Sequence, residues 1–177
     1  MAIGVNIRNE VTFILRSDSA IPQTDEGEKA YDRYFEDGFN EDHLAPVMNG
    51  GKPTRFTVRR LSYDARLHCD EIQSAPARSD FVVRAALKRV DNLEQVRDGN
   101  RVTVLRPPEF EDVEPYGPMV TLDWIREANL PSEIINAIAG TARVLSEGKV
   151  PFAGESNTRS SPSESEGKSG PAQSEQS

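Results

Sequence analysis

The sequence is poor in the residues from which most catalytic and metal sites are built. Its 177 residues include one cysteine, Cys69, and two histidines, His43 and His68. A lone cysteine cannot close an intramolecular disulfide or supply a four-cysteine zinc site, which excludes a stapled secreted scaffold and points to a reducing compartment. No apolar run approaches the roughly 18 residues needed to span a bilayer. The opening MAIGVNIRNEV lacks the apolar stretch and cleavage site of a secretory signal. A soluble, cytoplasmic protein is expected. Bases are scarce as well: 21 Lys and Arg stand against 29 Asp and Glu, a formal charge of -8. That balance argues against nucleic acid as the partner, because a protein that neutralises phosphates carries a basic surplus.

The charge is unevenly placed. Thr24 to His43 holds eight acids and two bases, a net of -6, and Ala153 to Ser177 holds four acids and two bases, a net of -2. These two segments carry the whole surplus, and the remainder is balanced at 17 acids and 17 bases. Within it, Lys52 to Arg106 is basic, with twelve Lys and Arg against seven Asp and Glu. An acidic insert thus precedes a mildly basic core and could mask part of it.

Four regions follow: residues 1–23 with an N-terminal strand, an acidic insert or loop at 24–51, a core at 52–151, and a tail at 152–177. The tail is Ser, Gly, Pro, Glu and Gln with no large apolar residue after Phe152. Such a segment buries too little surface to offset chain entropy and is expected to be disordered. Val11 to Arg16 and Arg55 to Leu61 have the pattern of strands, the second with Phe56 and Val58 on one face. Between them, KAYDRYFEDGF is either a short helix carrying Tyr31, Tyr34 and Phe35 or a mobile loop. Ser62 caps a helix running to about Ser74, with Ala65, Cys69 and Ile72 as its apolar stripe and Pro76 beyond its end. Ser79 and Asp80 open a second helix, FVVRAALKRV. Asp98-Gly99 marks a hairpin before RVTVLR, and Pro107, Pro108, Pro115 and Pro118 impose an extended, loop-like passage.

Thr121 and Asp123 then open a helix through Trp124 that Pro131 stops or kinks. From Ser132, Ile134, Ile135, Ile138, Ala142 and Leu145 share one helical face, and Gly148 supplies the C-terminal cap. The expected fold is α+β: a small antiparallel sheet with about four helices and a disordered C-terminal tail.

Chemical constellations are sparse. His68 and Cys69 are adjacent, so on a helix they point about 100° apart and cannot share a metal without distant partners. Gly50-Gly51-Lys52 lacks the Ser or Thr that follows the lysine of a phosphate loop, since Pro53 stands there. Counting back from Gly38 puts Arg33 and Phe35 where a calcium loop needs oxygen ligands. Asp64, Asp70 and Glu71 lie along one helix as a solvated face. The cations Arg55, Arg59, Arg60, Arg66, Arg84, Lys88 and Arg89 either form a patch for an anionic partner or pair with nearby acids. No catalytic residue, metal ligand or cofactor site is assigned. Trp124, Ile134, Ile138 and Leu145 are either core or a groove for a partner helix.

The strings RFTVRRLSYDARLHCDEI, FVVRAALKRVDN and LDWIREANLPSEIINAIAGTARVLSEG, followed by the polar tail, resemble the small tail assembly chaperones of long-tailed bacteriophages. The marks of that family fall on Leu61-Ser62, Asp91-Asn92, Leu130-Pro131 and Leu145-Ser146, and the resemblance covers Arg55 to Ser177. Two segments, the acidic insert and the proline-rich passage from Arg106 to Pro118, are longer than in the family. The resemblance implies a noncatalytic protein of the host cytoplasm. Its helical core would bind the tape-measure protein, and its tail would recruit tail-tube subunits. It also implies Trp124, Ile134, Ile138 and Leu145 as the partner groove. The alternative is a structural virion or adaptor protein of a phage particle.

Overall fold

A computed structural model describes residues 9–97 and 101–148. The expected tail and the tip of the Asp98-Gly99 hairpin lie outside these residues. The fold is α+β. Its centre is a three-stranded antiparallel sheet in the order β1-β2-β3, formed by β1 (Glu10–Ile14), β2 (Arg55–Arg59) and β3 (Leu87–Asp91). Two further hairpins pair β4 (Glu94–Arg97) with β5 (Arg101–Val104) and β6 (Phe110–Val113) with β7 (Gly117–Val120). The α-helices among the described residues are α1 (Asp25–Glu36), α2 (Tyr63–Glu71), α3 (Ala75–Ala86), α4 (Leu122–Ala128) and α5 (Ser132–Ser146). A 3₁₀ turn covers Glu41–His43.

Capping side chains set most of the helix starts. The hydroxyls of Thr24, Ser62, Ser74 and Thr121 accept from the backbone N–H three residues on and so satisfy one otherwise unpaired donor each. The first two helices of the core differ from expectation at their shared boundary. Because Ser74 is a cap, Pro76 sits in the first turn of α3, where a missing N–H costs nothing, and α2 ends at Glu71. The next correction is larger. The helix expected through Val90 stops at Ala86, and Leu87–Asp91 is a strand. Its register explains the misleading period. Phe56 pairs with Val90 and Thr57 with Arg89, but Val58 pairs with Leu87, so Lys88 is an extra residue in a bulge. The bulge brings Leu87 and Val90, three apart, onto one face, which imitates helical spacing.

The proline-rich passage is also corrected. Rather than a loop, it contains the β6–β7 hairpin, whose turn holds a cis Glu114-Pro115 bond and Gly117 at φ 83°. The acidic insert resolves to a helix: α1 fills the first half of it and accounts for the count of five helices instead of about four.

Helix α5 lies against β2 and α3. Between them is a core of Phe13, Phe56, Val58, Leu87, Trp124 and Ile138, all at most 3% exposed. A second apolar cluster joins α2, α3 and α5 through Ala65, Cys69, Val82 and Ala142. A third, made of Ile14, Ile21, Tyr34 and Leu44, fastens α1 to the sheet.

A buried hydroxyl ties α5 to the end of β2. Ser146 Oγ donates to Ala142 O at 2.6 Å and accepts from Leu61 N at 2.9 Å, with Ser146 only 3% exposed. Ser146→Ala strands the Leu61 N–H away from water. The expected loss is about 1–3 kcal/mol, read as a lower urea midpoint at unchanged slope.

Candidate partner-binding site

The four residues expected to line a partner groove do come together, but as core. Trp124 and Ile138 are 0% exposed and Leu145 is 2% exposed, and Ile134 is half-buried against the same cluster. The Trp124 indole N–H donates to Arg106 O at 3.0 Å, so even its polar atom is committed within the fold. A partner cannot reach three of these four side chains, so of the two alternatives left open by the sequence, core or groove, these three are core.

The open apolar surface is on the other side of α5. At 100° per residue, Ala137, Gly140, Thr141 and Val144 fall on one stripe, roughly opposite Ala139 and Ala142. Facing this stripe across a groove of about 310 Å³ are Tyr31 and Phe35 of α1. Phe13, Leu15 and Phe39 form the floor. Phe35 is 49% exposed and Val144 40% exposed, although both belong to elements with buried faces.

The floor is closely packed. Phe39 packs at 5.9 Å from Phe13, 5.5 Å from Tyr34 and 5.4 Å from Phe35, ring centre to ring centre. Its backbone is left-handed at φ 65°, directly after Gly38 at φ 66°. A bulky residue rarely takes that conformation, and here Phe39 N donates to Tyr34 O at 2.8 Å to hold it.

The wall provided by α1 is anchored by two hydroxyls. Arg60 N donates to Asn9 O, so the odd residues Asn9, Val11 and Phe13 face β2 in the ladder and the even ones point outward. Ile14 is thus an edge residue, and Tyr34 Oη accepts from its N–H at 2.7 Å while Tyr31 Oη donates to its C=O at 3.0 Å. The two tyrosines occupy the edge of the sheet as a neighbouring strand would. Burial pushes the Tyr34 hydroxyl far above its ordinary value of 10.0, and raises Tyr31 as well. A group whose folded pKa is raised contributes stability below its unfolded pKa and loses it as pH rises. The protein should therefore lose stability above about pH 10. Tyr34→Phe should flatten that alkaline fall while lowering stability at pH 7 by about 1–3 kcal/mol through the orphaned Ile14 N–H. Thermal unfolding of the two forms across pH 8 to 11 checks both effects.

Charge around the site is organised. Glu41 grips Arg55 with two bonds, from Nε at 2.7 Å and Nη2 at 2.6 Å, and this pairing holds the Glu41 carboxyl below its ordinary value. The acidic segment meets the basic stretch at this point. Asp37 Oδ2 bonds both Asn40 and His43 at 2.9 Å. Of the cations that would form a patch or pair with nearby acids, Arg84 meets Glu111, Lys88 meets Glu10, Arg89 meets Asp91, Arg60 donates to Ser146 O, and Arg66 lies 5.8 Å from the centre of the Tyr63 ring. Arg59 donates to the carbonyls of Ala85 and Pro118.

Of the remaining candidates for chemistry, Cys69 is buried and His68 is partly exposed. Cys69 is 3% exposed and burial raises its thiol, which suppresses the reactive thiolate. His68 packs against Phe81 and Tyr116, at 4.8 and 5.3 Å between ring centres, and lies 3.5 Å from Glu71. Among the described residues no three His, Cys, Asp or Glu side chains are grouped to hold a metal. Nor is any helix among them long and apolar enough to cross a membrane.

Sequence reasoning did not find this groove because it considered only α5's most hydrophobic stripe, as core or partner groove. A usable signal was present in residues 31–39, which hold four of the chain's twelve aromatic residues within an acidic segment. A solvated loop has no need of them.

No protein-family model, curated protein or solved structure matches this chain.

Proposed function

We propose that this chain is a noncatalytic binding protein that holds an apolar segment of another protein in the groove between α1 and α5. More particularly, it acts as a tail assembly chaperone of the long-tailed bacteriophage type in the host cytoplasm, keeping the tape-measure protein soluble while the polar tail recruits tail-tube subunits. The observation that carries the reading is the groove itself: exposed Phe35 and Val144 over a packed floor of Phe13 and Phe39. A partner that buries one Leu or Phe side chain there gains about 1.5–3 kcal/mol from removal of apolar surface from water. Two or three such anchors make a reversible complex, suited to a protein that must release its client. The sequence resemblance supports the choice of client, and the polar tail at 152–177 supports the second, recruiting role.

Co-expression with the tape-measure protein tests the proposal. The client should be soluble with this chain and aggregated without it, and equal solubility in both cases would end the reading. Mass spectrometry of purified particles separates it from a virion adaptor, since the chaperone should be absent from them and an adaptor present in stoichiometric amounts.

A further inference from the structure

The groove is not symmetric in charge. On α1, with Tyr31 and Phe35 facing the groove, Glu28 and Asp32 fall within about 100° of that face and Lys29 and Arg33 lie beyond about 130° from it. Glu28 and Asp32 stand on the groove side of an exposed acidic strip that Asp25 and Glu36 continue over the solvent face of α1. Lys29 borders this strip, four residues after Asp25 and three before Asp32, and Arg33 lies farther round the helix. Arg16 offsets Glu28 at 2.5 Å, and no such cation stands against Asp25, Asp32 or Glu36 among the salt bridges of the described residues. Across the groove, the α5 stripe is uncharged from Asn136 to Thr141 and has Glu133 at its start.

Backbone chemistry decides the shape of the occupant. A strand added beside β1 would need the N–H and C=O of Ile14, and the hydroxyls of Tyr34 and Tyr31 already hold both. A helix needs no such bonds. Ala137, Gly140, Thr141 and Val144 are small or short side chains spanning two turns, about 10 Å, of α5. A Cβ built on Gly140 meets nothing within 4 Å, so another helix can approach closely there.

We infer that the groove takes a basic amphipathic helix, with apolar residues at three- and four-residue spacing against Phe35, Phe39 and Val144 and Lys or Arg on the flank beside the acidic strip of α1. This rests on the reading of the groove as the partner site and adds the chemistry of the partner. Charge complementarity between strip and helix sets its orientation and speeds its capture.

The test uses the full chain and two synthetic helical peptides of roughly 18 residues, both with Leu on one face, one with Lys and one with Glu on the other. By fluorescence anisotropy the Lys peptide should bind roughly tenfold or more tighter than the Glu peptide at low salt, the advantage shrinking toward about 0.5 M salt. Gly140→Leu fills the groove without breaking the helix and should weaken the Lys peptide by a similar factor. Combining Asp32→Asn with Glu36→Gln should weaken it less and flatten its salt dependence. Equal binding of the two peptides would overturn the inference. So would Lys-peptide binding untouched by Gly140→Leu, which would place it elsewhere on an acidic protein, or a dimer of this chain broken by Gly140→Leu, which would make a second copy the occupant. The tape-measure protein separates the two levels of the account. A client kept soluble to the same degree by the charge variant overturns the basic-helix inference and leaves the chaperone standing. A client left insoluble while the Lys peptide binds as stated overturns the chaperone and leaves the groove's chemistry standing.

Discussion

Trp124→Ala is expected to lower the free energy of unfolding by about 3–5 kcal/mol, the range for removing a large aromatic side chain from a packed core. Trp124 is wholly buried, and its indole N–H is bonded to Arg106 O, so truncation leaves both a cavity and an unpaired carbonyl. A domain with a total stability of about 5–15 kcal/mol then retains a fraction of it. Urea denaturation followed by far-UV circular dichroism gives the value, since the variant lacks the chain's single tryptophan. The result also discriminates between two readings of the residue. A surface anchor for a partner would leave stability near that of the parent and lower partner affinity alone, whereas the buried position requires the opposite.

Gly27→Ala is expected to destabilise by about 1–3 kcal/mol, as overpacking does. In an ordinary helix the exchange of Gly for Ala stabilises by about 0.5–1 kcal/mol. Here the added Cβ would stand 2.1 Å from Pro22 O, a backbone atom that cannot rotate away. The first turn of α1 would have to move from the chain it packs on, pulling Tyr31 and Tyr34 from the two backbone groups of Ile14. Hydrogen exchange should show faster exchange at Ile14 and along α1, together with a lower urea midpoint. The same substitution at Gly140, where the Cβ is in open space, should gain about 0.5–1 kcal/mol instead. A neutral Gly27→Ala would mean that α1 is not seated as described.

The difference between these two glycines shows where the sequence was legible. Caps and periodicity are local, so Ser62, Thr121 and Gly148 marked their helix ends, and the stripe Ile138, Ala142, Leu145 marked the buried face of α5. The β2 alternation of Phe56 and Val58 was equally plain. What failed depended on partners distant in sequence. The β3 bulge at Lys88 gave Leu87 and Val90 a helical spacing that only pairing with Val58 and Phe56 explains. Prolines that suggested a loop are accommodated in the β6–β7 hairpin, with Pro115 in its turn and Pro118 on a two-stranded edge. The stripe of Trp124, Ile138 and Leu145, open between core and groove in the sequence, is settled as core only by packing: a strong apolar stripe reports burial. Phe35 and Val144 carry weak signals alone and line one groove only because α1 and α5 stand opposite each other.

The central claim is that the outer face of α5, against α1, holds the client. Gly140→Leu measures it most directly, through the soluble fraction of the tape-measure protein co-expressed with the parent chain or with the variant. Leucine favours the helix and meets no neighbour within 4 Å of its Cβ, so the fold should persist, as a circular dichroism spectrum would verify. The account predicts a soluble client with the parent and an aggregated one with the folded variant. A client equally soluble with both would contradict it.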